Sequence, residues 1–304
     1  MSSKSSTYGS IPRGSKTMCV RLFSMSFLIS SLFLILLVPL FLTAGERFER
    51  SFPVSKSPSV MVANYTGDVI VKGWQRQEVK VIATNYTQNV EIDTEPIGNK
   101  VRITTHVLDK LATAEKARVD YQIFVPEESN LDVKSNMGKV EVDNIKGDIG
   151  IEVVEASVRV QGVSGYLQAR SLGSKLAITN SSGIIQTTTV SGDIFFDRLQ
   201  SNSVNANSTL GNISYEGDFI SPGKYIFSTN EGTIMIRCTD QASVEWDAKT
   251  VKGVIESDLP IMSKKHSPAT RNSQRQSLLG TLNRGDATVQ VSTFSGKIKI
   301  TRKY

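Results

Sequence analysis

Residues 183–196 read GIIQTTTVSGDIFF, and this stretch decides the fold. Gly183 and Gly192 stand nine residues apart, and each opens a short run with a two-residue period. The second and fourth residues after the glycines are Ile185 and Thr187, then Ile194 and Phe196. In a strand these share one face, while Gln186 points to the other. One strand and one corner fill each nine-residue unit.

The same unit recurs on both sides. Toward the N-terminus it appears as Gly67-Asp68-Val69-Ile70-Val71, Gly138-Lys139-Val140-Glu141-Val142 and Gly147-Asp148-Ile149-Gly150-Ile151. Toward the C-terminus it appears as Gly211-Asn212-Ile213-Ser214-Tyr215, Gly232-Thr233-Ile234-Met235-Ile236 and Gly296-Lys297-Ile298-Lys299-Ile300. Weaker copies open at Gly165 and Gly253, and Ala156 stands where a glycine would fall. From 138 the turn positions run 147, 156, 165, 173, 183 and 192, then 211, 232 and 253. Two units therefore make a coil of about 19 residues. A unit with one apolar face cannot bury that face alone, so copies must stack. A hairpin sandwich would not require so constant a step. The predicted fold is all-β: a single-stranded, β-helix-like solenoid built from ~9-residue strand units.

Glycine suits a sharp corner because it adopts a positive φ without steric cost. The aspartates that follow (Asp68, Asp148, Asp193, Asp218) suggest a metal at first sight. Asp also bonds neighbouring backbone N–H groups in turns, and the dense glycine-aspartate nonapeptide of calcium-binding β-rolls is absent. No metal or other cofactor is expected.

The solenoid is expected over residues 59–304, with irregular strands at 59–135, regular repeats at 136–259 and a final coil at 285–304. Leu108–Lys116 has mild helix propensity or forms a loop. Residues 260–284 break the rhythm as a long loop bearing Lys264, Lys265, Arg271, Arg275 and Arg284 with no acid. These five cations are the candidate contact for an anionic polymer or lipid headgroup, against the plainer reading of a solvated loop.

Leu22–Leu42 (LFSMSFLISSLFLILLVPLFL) carries no charge and spans about 31 Å as a helix, close to the hydrocarbon thickness of a bilayer. Arg13, Lys16 and Arg21 precede it, which predicts a cytoplasmic tail at 1–21, a transmembrane helix at 22–42, a linker at 43–58 and an exported body. The competing reading is a long signal cleaved near Thr43-Ala44-Gly45. Both readings export the body. Of the net charge of +6, Lys4, Arg13, Lys16 and Arg21 supply four within residues 1–45. The body is near neutral, without the electrostatic footprint of a nucleic-acid partner.

Chemistry-bearing patterns are few. His106 and His266 join no Ser/Asp pattern, and no nucleophile elbow or phosphate-binding loop occurs. Glu141, Glu152, Glu155 and Arg159 fall on neighbouring coils, where a carboxylate pair could form. Two cysteines, Cys19 and Cys238, exclude a disulfide scaffold, and Cys238 reads as a small buried apolar residue. Five Asn-x-Ser/Thr sequons, at Asn64, Asn85, Asn180, Asn207 and Asn212, stand against about three expected by chance and do not establish glycosylation.

The order Val119-x-Tyr121-x-Ile123-x-Val125-Pro126, Leu131-x-Val133, Gly138-x-Val140-x-Val142 resembles the bacterial putative-adhesin family of β-strand-repeat proteins. So does the closing run from Gly285 to Ile300. The resemblance covers about residues 55–304 and implies a β-solenoid of the cell envelope without enzymatic activity. It carries no site residues. The expected function is a membrane-anchored, non-catalytic adhesin-like binding or structural module outside the cytoplasmic membrane. Its expected partners are the lipid bilayer through residues 22–42 and an envelope polysaccharide or another envelope protein. The alternatives are a polysaccharide-acting β-helix enzyme and an extracytoplasmic sensor of envelope stress.

Overall fold

Ile185 lies between Leu167 and Val204 of the neighbouring coils, and Ile194 between Leu176 and Ile213, all in parallel register. These pairings come from a computed structural model, which describes residues 45–109, 111–263 and 276–303. They extend into two parallel sheets that share one core. In one sheet the inward ladder runs Val60, Leu131, Ile149, Leu167, Ile185, Val204, Tyr225, Val289 and Trp246. In the other it runs Val69, Val140, Val158, Leu176, Ile194, Ile213, Ile234, Ile298 and Ile255. Every one of these residues is buried. Full burial of an aliphatic side chain contributes about 1.5–3 kcal/mol, so the ladders are the main source of cohesion. The expected solenoid, and its inward and outward assignment, is what the chain forms. The exception is Ser257, which is exposed at the fourth position of the weak copy headed by Gly253.

The coils do not stack in chain order. In space they follow one another as 100–126, 59–74, 130–143, 146–161, 164–179, 182–197, 200–216, 223–238, 287–302 and 244–257. At a sheet spacing of ~4.8 Å this stack is about 43 Å tall. The coil at 287–302, expected to close the solenoid, lies inside it. Ala287–Ser295 pairs with Gly223–Glu231 on one side and with Val244–Thr250 on the other. The first coil repeats this arrangement. Ser59–Thr66 lies between Lys100–Val107 and Asn130–Asp143. A common inward period makes coils interchangeable as neighbours, so the sequence pattern does not reveal this order.

Antiparallel strands cover the stack ends. Val90–Ile97 pairs with Lys100–Val107, and Glu78–Asn85 pairs with Val119–Pro126. Ser277–Leu282 covers Val244–Thr250 at the far end. Antiparallel caps and short edges oppose further strand addition. The expected linker at 43–58 contains the strand Glu46–Pro53, paired along its length with Glu78–Asn85. Phe48 and Phe52 pack against the core there, which is why the segment is ordered. Within the expected loop 260–284, Ser277–Leu282 is a strand that buries Leu278 and Leu282, and the exposed Met262–Ser263 pairs with its residues Thr281 and Gly280. Residues 114–117 form one 3-10 turn in the segment read as weakly helical. The predicted transmembrane helix at 22–42 lies outside the described residues. Among the described residues no helix is long and apolar enough to cross a membrane.

The corner glycines have two causes. Gly183 has φ +91°, and a Cβ there would also fall on the carbonyl oxygen of Gly165. Gly211 has no positive φ; a Cβ there would fall on the carbonyl oxygen of Gly192. Backbone proximity between coils, as much as turn conformation, therefore demands glycine. The turn carboxylates bond between coils as well. Asp193 Oδ1 accepts from the Asn212 N–H at 2.8 Å, and Asp218 Oδ1 from the Thr239 N–H at 2.9 Å. Cys238 is fully buried, and burial pushes its thiol up to about 12.

Candidate functional site

Of the acidic residues singled out from the sequence, Glu141 and Glu152 lie on outward faces and are engaged by cations, while Glu155 is exposed in register with Met137. Glu152 sits between its register partners Lys134 and Arg170, with Lys134 Nζ at 2.9 Å and Arg170 Nη1 at 3.6 Å. The Lys134 hydrogen bond, reinforced by its charge, holds the Glu152 carboxyl below the usual carboxylate range. A general acid needs the opposite shift. Glu141 pairs with Lys139 at 3.4 Å and lies in register with Arg159. His106 Nε2 meets Asp93 Oδ2 at 3.1 Å across the exposed end hairpin. Lys264, Lys265, His266, Arg271 and Arg275 lie outside the described residues. Arg284 is exposed and pairs with Asp286 at 2.8 Å, a carboxylate that also accepts from the Ser243 hydroxyl at 2.9 Å. Among the described residues no cluster of His, Cys, Asp or Glu could hold a metal ion.

One outward face carries a depression centred on Ala177. In register, Ala177 is flanked by Arg159 on one neighbouring coil and Phe195 on the other. Lys175 and Thr179 stand two residues before and after it, on the same face. The small side chain leaves a groove of about 410 Å³ lined also by Lys139, Glu141 and Ser157. Phe195 is half-buried, and Lys175 Nζ stands 6.0 Å from the centroid of its ring. Arg159 donates to Gln161 Oε1 at 3.1 Å. Among the described residues neither Lys175 nor Arg159 has an ion pair. A second depression of about 330 Å³ shares Glu141 and Arg159 and continues to Lys72, Asp143 and Gln161. The sequence reading reached Glu141 and Arg159 but missed Lys175, Ala177 and Phe195. Part of their signal was available: the residue third after each corner glycine is mostly polar, and Phe195 departs from that. Ala177 stands fourth after Gly173, out of phase with the other copies, and its outward place follows only from the register.

The opposite face is mostly uncharged at its centre. Tyr166 donates to Gln186 Oε1 at 3.0 Å, and Gln168 Nε2 donates to the Tyr166 hydroxyl at 3.2 Å. The Tyr166–Gln186 bond spans adjacent coils, and the Gln168–Tyr166 bond lies within one strand.

Three solved structures resemble the chain over most of its length. A putative adhesin from Bacteroides fragilis is 11% identical, with 85% of this chain and 97% of that one covered and a TM-score of 0.42. A putative adhesin from Parabacteroides distasonis is 10% identical, covering 85% and 98%, with a TM-score of 0.39. A putative cell adhesion protein from Clostridium sporogenes is 11% identical, covering 85% and 100%, with a TM-score of 0.27. No curated protein matches the sequence. The Toastrack DUF4097 family model matches residues 64–301, from the first inward-packed coil to the last, and the chain therefore belongs to that family.

Proposed function

We propose that the chain is a non-catalytic, adhesin-like binding or structural module, held outside the cytoplasmic membrane by residues 22–42. The observation that carries this reading is the disposition of the outward side chains. Glu141 and Glu152 lie on different sheets, each is tied to a cation, and the Glu152 carboxyl is held below the usual carboxylate range. What remains is two broad outward sheet faces. Such faces suit recognition of an extended partner, an envelope polysaccharide or another envelope protein. The uncharged run Leu22–Leu42 and the cations before it support membrane insertion with the body exported. The basic segment carrying Lys264, Lys265, Arg271, Arg275 and Arg284 is a second contact, suited to anionic headgroups.

A topology assay tests the reading. A reporter that works only outside the cytoplasm is fused after Tyr304 or after Lys16. Activity is expected from the first fusion and none from the second. The full chain is expected to stay in the membrane pellet after alkaline carbonate. Release with a new N-terminus near Glu46 would replace the anchor by a cleaved signal while preserving export. A Tyr304 fusion active only in the cytoplasm would remove the envelope assignment.

A further inference from the structure

We infer that the Ala177 groove is a binding site for one acidic sugar unit of a saccharide chain. This inference rests on the binding-module reading and names its ligand class. Four features of the groove carry it. The first is charge: Lys139, Arg159 and Lys175 face the single carboxylate of Glu141, and Glu141 is already engaged by Lys139. Arg159 and Lys175 therefore remain for an anion. Asp193 on the neighbouring coil directs its Oδ1 to the Asn212 N–H and side-chain amide and, among the described residues, forms no ion pair with Lys175. The second feature is a flat apolar surface, the exposed part of the Phe195 ring beside the Ala177 methyl. Sugar rings present C–H groups that stack on such surfaces.

The third feature is size. Arg159 and Phe195 lie two strand spacings apart, about 10 Å, which admits one pyranose ring edge-on between them. The fourth is the rim. The Ser157 and Thr179 hydroxyls line the same groove and can donate to or accept from sugar hydroxyls. An acidic peptide would use the cations but has no need of the ring. A neutral sugar would use the ring but leave the cations unpaired. The combination of both elements favours a sugar bearing a carboxylate, or another anionic group of similar size. Continuity with the depression at Lys72 and Gln161 lets the chain extend across coils in the direction of the stack.

The test uses the full-length chain in lipid nanodiscs and a fluorescently labelled tetragalacturonate, read by anisotropy. Maltotetraose and a tetraglutamate peptide serve as competitors. Saturable binding is expected, displaced by unlabelled tetragalacturonate and not by either competitor. Lys175→Glu and Phe195→Ala should each weaken it about tenfold or more. Ala177→Leu should weaken it similarly by filling the depression. Glu245→Gln, on the opposite face, should leave it unchanged. Each variant is checked for an unaltered thermal midpoint. Displacement by tetraglutamate with the same potency would overturn the sugar assignment. Binding untouched by all three groove variants, or no binding, would overturn the site. The topology assay does not depend on this groove, so an active Tyr304 fusion beside a silent groove would leave the exported placement of the body intact and refute the groove as a site.

Discussion

Ile194 and Gln186 show how far a single side chain is determined by its place in the unit. Ile194 is 1% exposed between Leu176 and Ile213. Ile194→Asp would bury an unpaired charge and is expected to cost several kcal/mol. Gln186 points outward on the neighbouring strand, where Gln186→Asp loses only surface hydrogen bonds and should cost under about 0.5 kcal/mol. Thermal melts of the two variants check the register directly. Equal losses would mean that the strands are assigned to the wrong face, since a one-residue slip exchanges every inward and outward side chain. This level was legible in the sequence because alternation is a local property of the strand. The groove was not, for a physical reason. Ala177, Arg159 and Phe195 are 18 residues apart in successive coils and become neighbours only through the register.

Among elements, the coil at 287–302 has the largest consequence. It holds Val244–Thr250 and Ile255–Ser257 to the rest of the stack through parallel pairing on both its edges. In a simple linear solenoid, removing the last repeat shortens the array and leaves the other interfaces unchanged. Here, deleting residues 285–304 should detach the coil at 244–257 and its covering strand Ser277–Leu282 as well. Hydrogen exchange should show protection lost across 244–257 and along the outer edge of Gly223–Glu231, with protection at 146–197 retained. Retained protection at 244–257 would show that this coil can pair with Gly223–Glu231 directly. The expected linker at 43–58 fails as a prediction for a related reason. Phe48 and Phe52 alternate with Arg47, Glu49 and Arg50, so Glu46–Pro53 reads as polar until Glu78–Asn85 supplies a partner.

At the scale of the whole molecule, the buried ionisable groups set how the stack responds to alkali. Burial pushes Tyr121 and Tyr225 up to about 12 from an ordinary 10, and Cys238 up to about 12 from an ordinary 9. Each folded-state value is raised, so each contribution to stability is complete below the unfolded value and is lost as pH rises through the folded one. The thermal midpoint should therefore begin to fall near pH 9 and drop more steeply between 10 and 12. In Cys238→Ala the onset should move toward pH 10. A midpoint constant to pH 11.5 would contradict the burial of these groups. The interleaved order of the coils also bears on how the molecule is made. Residues 244–257 leave the ribosome before residues 287–302, yet their place in the stack is defined by a neighbour not yet synthesised. The nascent chain must hold that segment in waiting, the edge opposite Ser277–Leu282 unpaired, until the later strand slots in between. Completion is thus a closing step that joins distant parts of the chain, slow by nature. Through this interval the open edge is a template for strand-to-strand association with other copies.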